Sequence, residues 1–175
     1  GYKADRNVFV EIDSLNGKNI IAIAAGDRHS FAIAKDGRIY AAGDNEYGQL
    51  GLGDSGNKTN RKIFTEVKGL NAKNIIAIDA GSYHSLALAK DGKVYAAGHN
   101  YFAGLGEVTV RGVFTEITNL SDKNIAAIAA GGYHSLALSK DGRIYAAGYN
   151  KYGQLGLGGS GEEADRHTFT LVPIK

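Results

Sequence analysis

One segment is written three times along this chain. NIIAIAAGDRHSFAIAKDGRIYAAGDNEYGQLGLG begins at Asn19, NIIAIDAGSYHSLALAKDGKVYAAGHNYFAGLGEV at Asn74, and NIAAIAAGGYHSLALSKDGRIYAAGYNKYGQLGLG at Asn124. Between these segments stands an Arg-x-x-Phe element, at Arg6 and Phe9, Arg61 and Phe64, Arg111 and Phe114, and Arg166 and Phe169. The phenylalanines are separated by 55, 50 and 55 residues, the middle repeat having lost five residues after its glycines. A period of this length belongs to a fold made of stacked units, none of which buries its own faces alone.

Each repeat reads as four short strands. NIIAIAAG is a brief apolar run without polar alternation, which predicts a strand buried on both faces. Its alanines fit a crowded place where units converge. HSFAIAK and RIYAAG follow, joined by Asp36-Gly37, Asp91-Gly92 or Asp141-Gly142. Asp-Gly between apolar stretches predicts a tight hairpin in which both turn residues take positive φ. The fourth strand, such as KIFTEV, alternates apolar and polar residues and predicts a half-exposed outer edge. Four antiparallel strands in about 50 residues is the content of a propeller blade, and no stretch carries the period of a helix. The fold class is therefore all-β: three four-stranded blades (19–70, 71–120, 121–175) and a surplus outer strand within residues 1–18.

Composition limits the function. Gly is frequent at 25 residues against one Pro, which favours many tight turns over a disordered linker. Absence of Cys removes disulfides and thiolate metal sites. Twenty Lys and Arg against 18 Asp and Glu leave a net charge of +2, no footprint of a nucleic-acid binder. The longest apolar run, Ile20 to Ala25, is too short for a membrane helix. A chain beginning at Gly1 without any Met reads as processed, a fragment or a cloning product. An exported chain at the cell surface or outside the cell is the location favoured.

The string AAGxxHSLALxKDGRIYAAGxNxYGQLGLG resembles the regulator-of-chromosome-condensation repeat, nearly complete in two copies and degraded in the middle one. That resemblance implies β-propeller blades, normally seven to a ring, in a family containing a nucleotide-exchange factor for a small GTPase, an inhibitor of β-lactamase and many interaction modules. Three blades cannot close such a ring. Either the chain is part of a longer propeller or copies of it assemble, into a closed oligomer or a filament. The Ala-Asp-Arg-x-x-Phe element at both ends supplies four outer strands for three blades. The N-terminal one, with Val8, Phe9, Val10 and Ile12, is left to pair with another copy by strand addition.

Several chemistries are tested and set aside. His29, His84 and His134 recur with the repeat, too far apart for one metal, and read as buried imidazoles bonded to nearby backbone. Gly48 to Gly53 and Gly153 to Gly158 lack the pattern of a phosphate loop and read as turns. Ser30, Ser85 and Ser135 each follow a His, but neighbours on a strand point to opposite faces, which defeats a nucleophile–base pair. Arg6, Arg61, Arg111 and Arg166 read as ties for their own loops. No catalytic residue, metal or cofactor is expected.

The positions that differ between repeats are where a partner fits. They are Asp27-Arg28, Ser82-Tyr83 and Gly132-Tyr133 before the His-Ser pair. Around the repeated Asn they are Asp44 and Glu46, His99 and Tyr101, and Tyr149 and Lys151. Tyrosine gives large contact area at low entropic cost, so Tyr83, Tyr101, Tyr133 and Tyr149, with Arg28, Asp44, His99 and Lys151, form the candidate protein-binding set. The expected partners are other copies of the chain or another protein, not nucleic acid or membrane.

Overall fold

The computed structural model describes residues 8–106 and 109–173. Its strands are β1 (Ile20–Ala25), β2 (His29–Ala34), β3 (Ile39–Gly43), β4 (Arg61–Glu66), β5 (Ile75–Ala80), β6 (His84–Ala89), β7 (Val94–His99), β8 (Val110–Glu116), β9 (Ile125–Ala130), β10 (His134–Ser139), β11 (Ile144–Gly148) and β12 (Arg166–Leu171). They form three sheets, β1 to β4, β5 to β8 and β9 to β12, each hydrogen-bonded in chain order. All pairings are antiparallel. These are three propeller blades.

Strand alternation decides how the blades stack. In β6, Leu86 and Leu88 enter the core shared with blade 3, and Ala87 and Ala89 the core shared with blade 1. Successive side chains on a strand point to opposite faces, so each second strand presents a large-residue face forward and a small-residue face backward. Phe31 and Ile33 of β2 do the same toward blade 2. Chain connectors seal each junction: Val67 and Leu70 lie in the first core, Ile117 and Leu120 in the second.

Four sequence expectations are corrected. The first strand is not buried on both faces: Ile23 of β1 is 80% exposed, while Ile78, its counterpart in β5, is 8% exposed because blade 1 covers it. Burial there comes from the preceding blade, which blade 1 lacks among the described residues. Val8, Phe9, Val10 and Ile12 lie outside any strand and are exposed, Phe9 completely. A strand needs a neighbour to take its backbone hydrogen bonds, and this segment has none among the described residues. The hairpin turns are not two-residue turns. Gly37, Gly92 and Gly142 have φ near +84°, +87° and +85°, but their aspartates do not take positive φ. Gly37 N donates to Ala34 O at 2.9 Å, giving a three-residue loop closed by a left-handed glycine. Finally, the shortened loop of blade 2 folds into a single helical turn, α1 (Asn100–Ala103), ending on Gly104 at φ +77°.

Candidate protein-binding surface

Chain order within each sheet puts the β1–β2 and β3–β4 connections at one end of the blade and the Asp-Gly turn at the other. The residues before each His and those around each repeated Asn therefore share one end. The Asn organises it. Asn45, Asn100 and Asn150 are completely buried. Leu50 N donates to Asn45 Oδ1 at 3.0 Å, and Leu155 N to Asn150 Oδ1 at 2.9 Å. The Asn45 amide donates to the Asp54 carbonyl at 3.0 Å, and that of Asn150 to the Gly159 carbonyl at 3.0 Å. The same amides reach Thr59 Oγ1 at 3.1 Å and the Ala164 carbonyl at 3.2 Å, so one side chain ties together a loop that spans fourteen positions. Sequence reasoning passed over these asparagines, although their identity in every repeat between differing neighbours was the available signal.

The histidines latch one blade to the next. His29 Nε2 is 2.7 Å from Ser85 Oγ, and Ser85 donates to the Gln49 carbonyl at 2.8 Å. His84 Nε2 is 2.9 Å from Ser135 Oγ, which donates to the Phe102 carbonyl at 2.7 Å. A hydroxyl has one hydrogen, here given to a carbonyl, so the imidazole supplies the other through Nε2–H. Nδ1 of His29 and of His84 is then a bare, buried lone pair without a partner among the described residues. Burial pushes the His29 pKa from its ordinary 6.5 to about 4, against the opposing pull of Asp44 and Asp27, and that of His84 to about 3. Burial also lowers that of His134, the end of the series. The expected backbone partner of these imidazoles is corrected to a serine of the following blade. Rejection of the adjacent His-Ser pair holds, since the serine each His meets lies about fifty residues further on.

Two of the arginines tie their own loops. Arg61 bonds to the Thr59 carbonyl and, at 2.6 Å, to Asp54, both within its own loop. Arg166 bonds to the neighbouring Asp165 carbonyl at 2.8 Å. Arg6 lies outside the described residues.

Of the candidate contact residues, the structure brings five into one aromatic surface. Tyr83 and Tyr133 are 5.7 Å apart between ring centres, and Tyr133 and Tyr149 are 6.3 Å apart. Tyr101 and His99 join through Phe102, at 5.2 and 4.8 Å. Tyr47 continues the surface onto blade 1, 4.8 Å from Tyr83, and Tyr152 extends it over blade 3, 6.4 Å from Tyr149. Phe102, Tyr47 and Tyr152 were missed because they sit at a shared aromatic position, which read as scaffold. Tyr101 donates to Asp165, and burial followed by that hydrogen bond pushes its pKa to about 12. A hydrogen bond with Tyr83 raises that of Tyr133. Arg28 and Lys151 are exposed at the margin. Asp44 is turned into its own loop, accepting from Glu46 N and Gln49 Nε2, both at 3.2 Å. Past Tyr133, Tyr149 and Tyr152 the surface opens into a groove of about 540 Å³.

Comparison with known proteins agrees with this architecture. The regulator of chromosome condensation (RCC1) repeat matches residues 36–88, 91–138 and 141–175, and a second description of the same repeat matches 20–49, 75–103 and 125–154. Protein RCC1 of Candida albicans is 45% identical over 84 residues, 46% of this chain and 18% of its own length. The ultraviolet-B receptor UVR8 of Arabidopsis thaliana is 34% identical over 106 residues, 61% of this chain and 23% of its own length. The human E3 ubiquitin-protein ligase HERC2 is 35% identical over 98 residues, 56% of this chain and 2% of its own. The chain thus spans less than a quarter of these relatives. Among solved structures, Prp20p of Saccharomyces cerevisiae superposes with a TM-score of 0.80 at 26% identity, over 89% of this chain and 39% of Prp20p. With its three sheets and its repeat matched over most of its length, this chain belongs to the RCC1 repeat family.

Proposed function

We propose that this chain is a non-catalytic propeller unit that works by binding protein: further blades, supplied by other copies of itself, cover its end faces, and its tyrosine-bearing loop ends meet a protein partner. The observation that carries the reading is the aromatic surface spanning all three blades, with Tyr133 and Tyr152 left 42% and 80% exposed. Exposed aromatic groups clustered on one face are the usual anchors of protein interfaces. The apolar end faces support the assembly part. Light scattering over a wide concentration range tests it, with a mass rising above 18.5 kDa expected. A constant mass of one chain would defeat the assembly part.

A second reading is that the chain is the recognition portion of a longer propeller that regulates a GTPase. Its support is the similarity to Prp20p, whose structure was reported together with its binding to Gsp1p and histones. Fluorescence anisotropy with labelled Gsp1p tests this reading. Binding that disappears on Tyr133→Ser or Tyr149→Ser favours it, and absence of binding rejects it.

A further inference from the structure

We infer that the blade ends carrying the Asp-Gly turns form a second binding surface, a row of three lysine-lined hollows that takes an extended acidic segment of a partner protein. This surface lies at the opposite end of the sheets from the tyrosines. It goes beyond the function proposed above and stands or falls separately from it.

The same hollow is built three times. In each blade it lies between the connector that enters the first strand and the turn that joins the second strand to the third. Lys18 and Lys35 line it in blade 1, Lys73 and Lys90 in blade 2, and Lys123 and Lys140 in blade 3. The volumes are about 360, 390 and 320 Å³. Blade 2 has a neighbour on both sides, and its hollow is no smaller than the other two. The hollows therefore belong to the blade itself and owe nothing to where the chain begins or ends.

Both lysines of a hollow are positioned by the blade. Lys18 Nζ lies 4.9 Å over the Tyr40 ring and Lys73 Nζ 4.6 Å over that of Tyr95, which holds the connector lysine in place without removing its charge. The turn lysine is held at its backbone. Lys35 N donates to the Asn19 carbonyl at 2.9 Å, Lys90 N to that of Asn74 at 3.0 Å, and Lys140 N to that of Asn124 at 3.0 Å. These asparagines, at φ +49°, +50° and +50°, are the only non-glycine residues in the left-handed region among the described residues. Asn tolerates that region better than most side chains, and the bend it makes brings connector and turn together.

Most acids at this end are already matched. Asp36 pairs with Arg38 at 2.6 Å, Asp141 with Arg143 at 3.2 Å, Glu116 with Lys93 at 3.4 Å and Asp122 with Lys123 at 2.9 Å. Lys35, Lys90 and Lys140 are exposed and make no ion pair among the described residues. Each blade thus presents an uncommitted cation in a concave site.

That spacing selects the partner. Packed sheets lie about 10 Å apart. A polyproline II segment has three residues per turn and rises about 3.1 Å per residue, so an acid at every third position presents carboxylates along one side about 9 Å apart. One carboxylate then reaches each hollow, and the residues between are neutral where they pass the turn aspartates. Duplex DNA carries a charge about every 3.4 Å per strand, and its surplus phosphates would meet Asp36, Asp91 and Asp141 without a cation to spare.

Fluorescence anisotropy tests the inference with two labelled peptides of one composition, a Glu-Pro-Ser repeat and an isomer with its glutamates in a single block. The spaced peptide is expected to bind more tightly, and to weaken as salt rises. The triple variant Lys35→Ala, Lys90→Ala, Lys140→Ala, its fold verified by circular dichroism, is expected to weaken it by at least about tenfold, since each exposed ion pair accounts for up to about fivefold. Lys58→Ala, at the tyrosine end, and Tyr133→Ser are expected to leave it unchanged. Absence of binding, equal binding of the two peptides, or full binding by the triple variant overturns the inference. Tighter binding of labelled oligothymidylate through the same three lysines overturns it in favour of nucleic acid. Loss of peptide binding on Tyr133→Ser overturns it too, because it places the acidic segment on the tyrosine surface.

Discussion

Acid should loosen this fold through two named imidazoles. His29 and His84 stay neutral in the folded state down to about pH 4 and about pH 3, whereas in the unfolded chain both take the ordinary 6.5. A depressed folded pKa means that the unfolded chain binds protons first as pH falls. The neutral form therefore favours folding fully above about pH 6.5, and that advantage drains away between about 6.5 and 4 for His29 and between about 6.5 and 3 for His84. Between pH 7.5 and 5.0 each histidine should cost about 2 kcal/mol, and the pair about 4 kcal/mol. That is a large share of the 5–15 kcal/mol typical of a domain, and few carboxylates titrate in the same interval. Urea denaturation at the two pH values measures the loss directly. His84→Gln keeps a side-chain donor and cannot titrate, so it should remove about 2 kcal/mol of the pH dependence while lowering stability at pH 7.5. Equal stability of the wild type at pH 7.5 and 5.0, or a variant with the full wild-type dependence, would refute the latch as described.

Other substitutions probe the junctions and the loops. Gly81→Ala would place a Cβ 2.5 Å from the Gly131 carbonyl oxygen and 2.5 Å from His84 Cε1, and should destabilise by about 1–3 kcal/mol in thermal unfolding. Asn150→Ala leaves the buried Leu155 N–H without its acceptor and should cost about 1–3 kcal/mol, with faster hydrogen exchange confined to the blade 3 loop. Phe114→Ala, in the first junction core, should cost about 3–5 kcal/mol in urea denaturation, whereas Phe9→Ala should leave the folding of a single chain unchanged although the two share a repeat position.

Much of the fold could be read from the sequence because the blade is a local object. Its strands, their order and their turns lie within about fifty residues, and the repeat states them three times. Junctions were harder to read because they join residues one whole period apart. His29 and Ser85 are separated by 56 positions, and nothing in HSFAIAK says that its His reaches a serine in the next copy of the motif. The alternation of large and small residues in HSLALA carried that information in part: it gives each blade a forward and a backward face. The exposure of β1 was misread for the same reason, since its burial depends on a neighbour outside the repeat. The candidate surface was half legible. Differing positions pointed to Tyr83, Tyr133 and Tyr149, but rings at the shared position of Tyr47, Phe102 and Tyr152 complete the surface.

Stacking in one dimension puts most of the stabilisation at the junctions, and the burial of the blades follows from it. Every residue of β6 is buried because blade 2 has neighbours on both sides, whereas Leu138 in β10 is exposed on the forward side and Ile23 in β1 on the backward side. Burying one such aliphatic side chain favours association by about 1.5–3 kcal/mol. A junction contributes several of them, together with a latch and a seated phenylalanine ring. Two internal junctions hold three blades together, and a third junction would add half as much again at the expense of one association step. A blade face left without a neighbour therefore has a large incentive to be covered. The segment containing Val8 and Phe9 offers a smaller one, since pairing it gains backbone hydrogen bonds that water already satisfies. Removing residues 1–12 should consequently weaken self-association less than Tyr152→Lys does. The reverse order in sedimentation equilibrium would show that strand addition, not blade stacking, drives assembly.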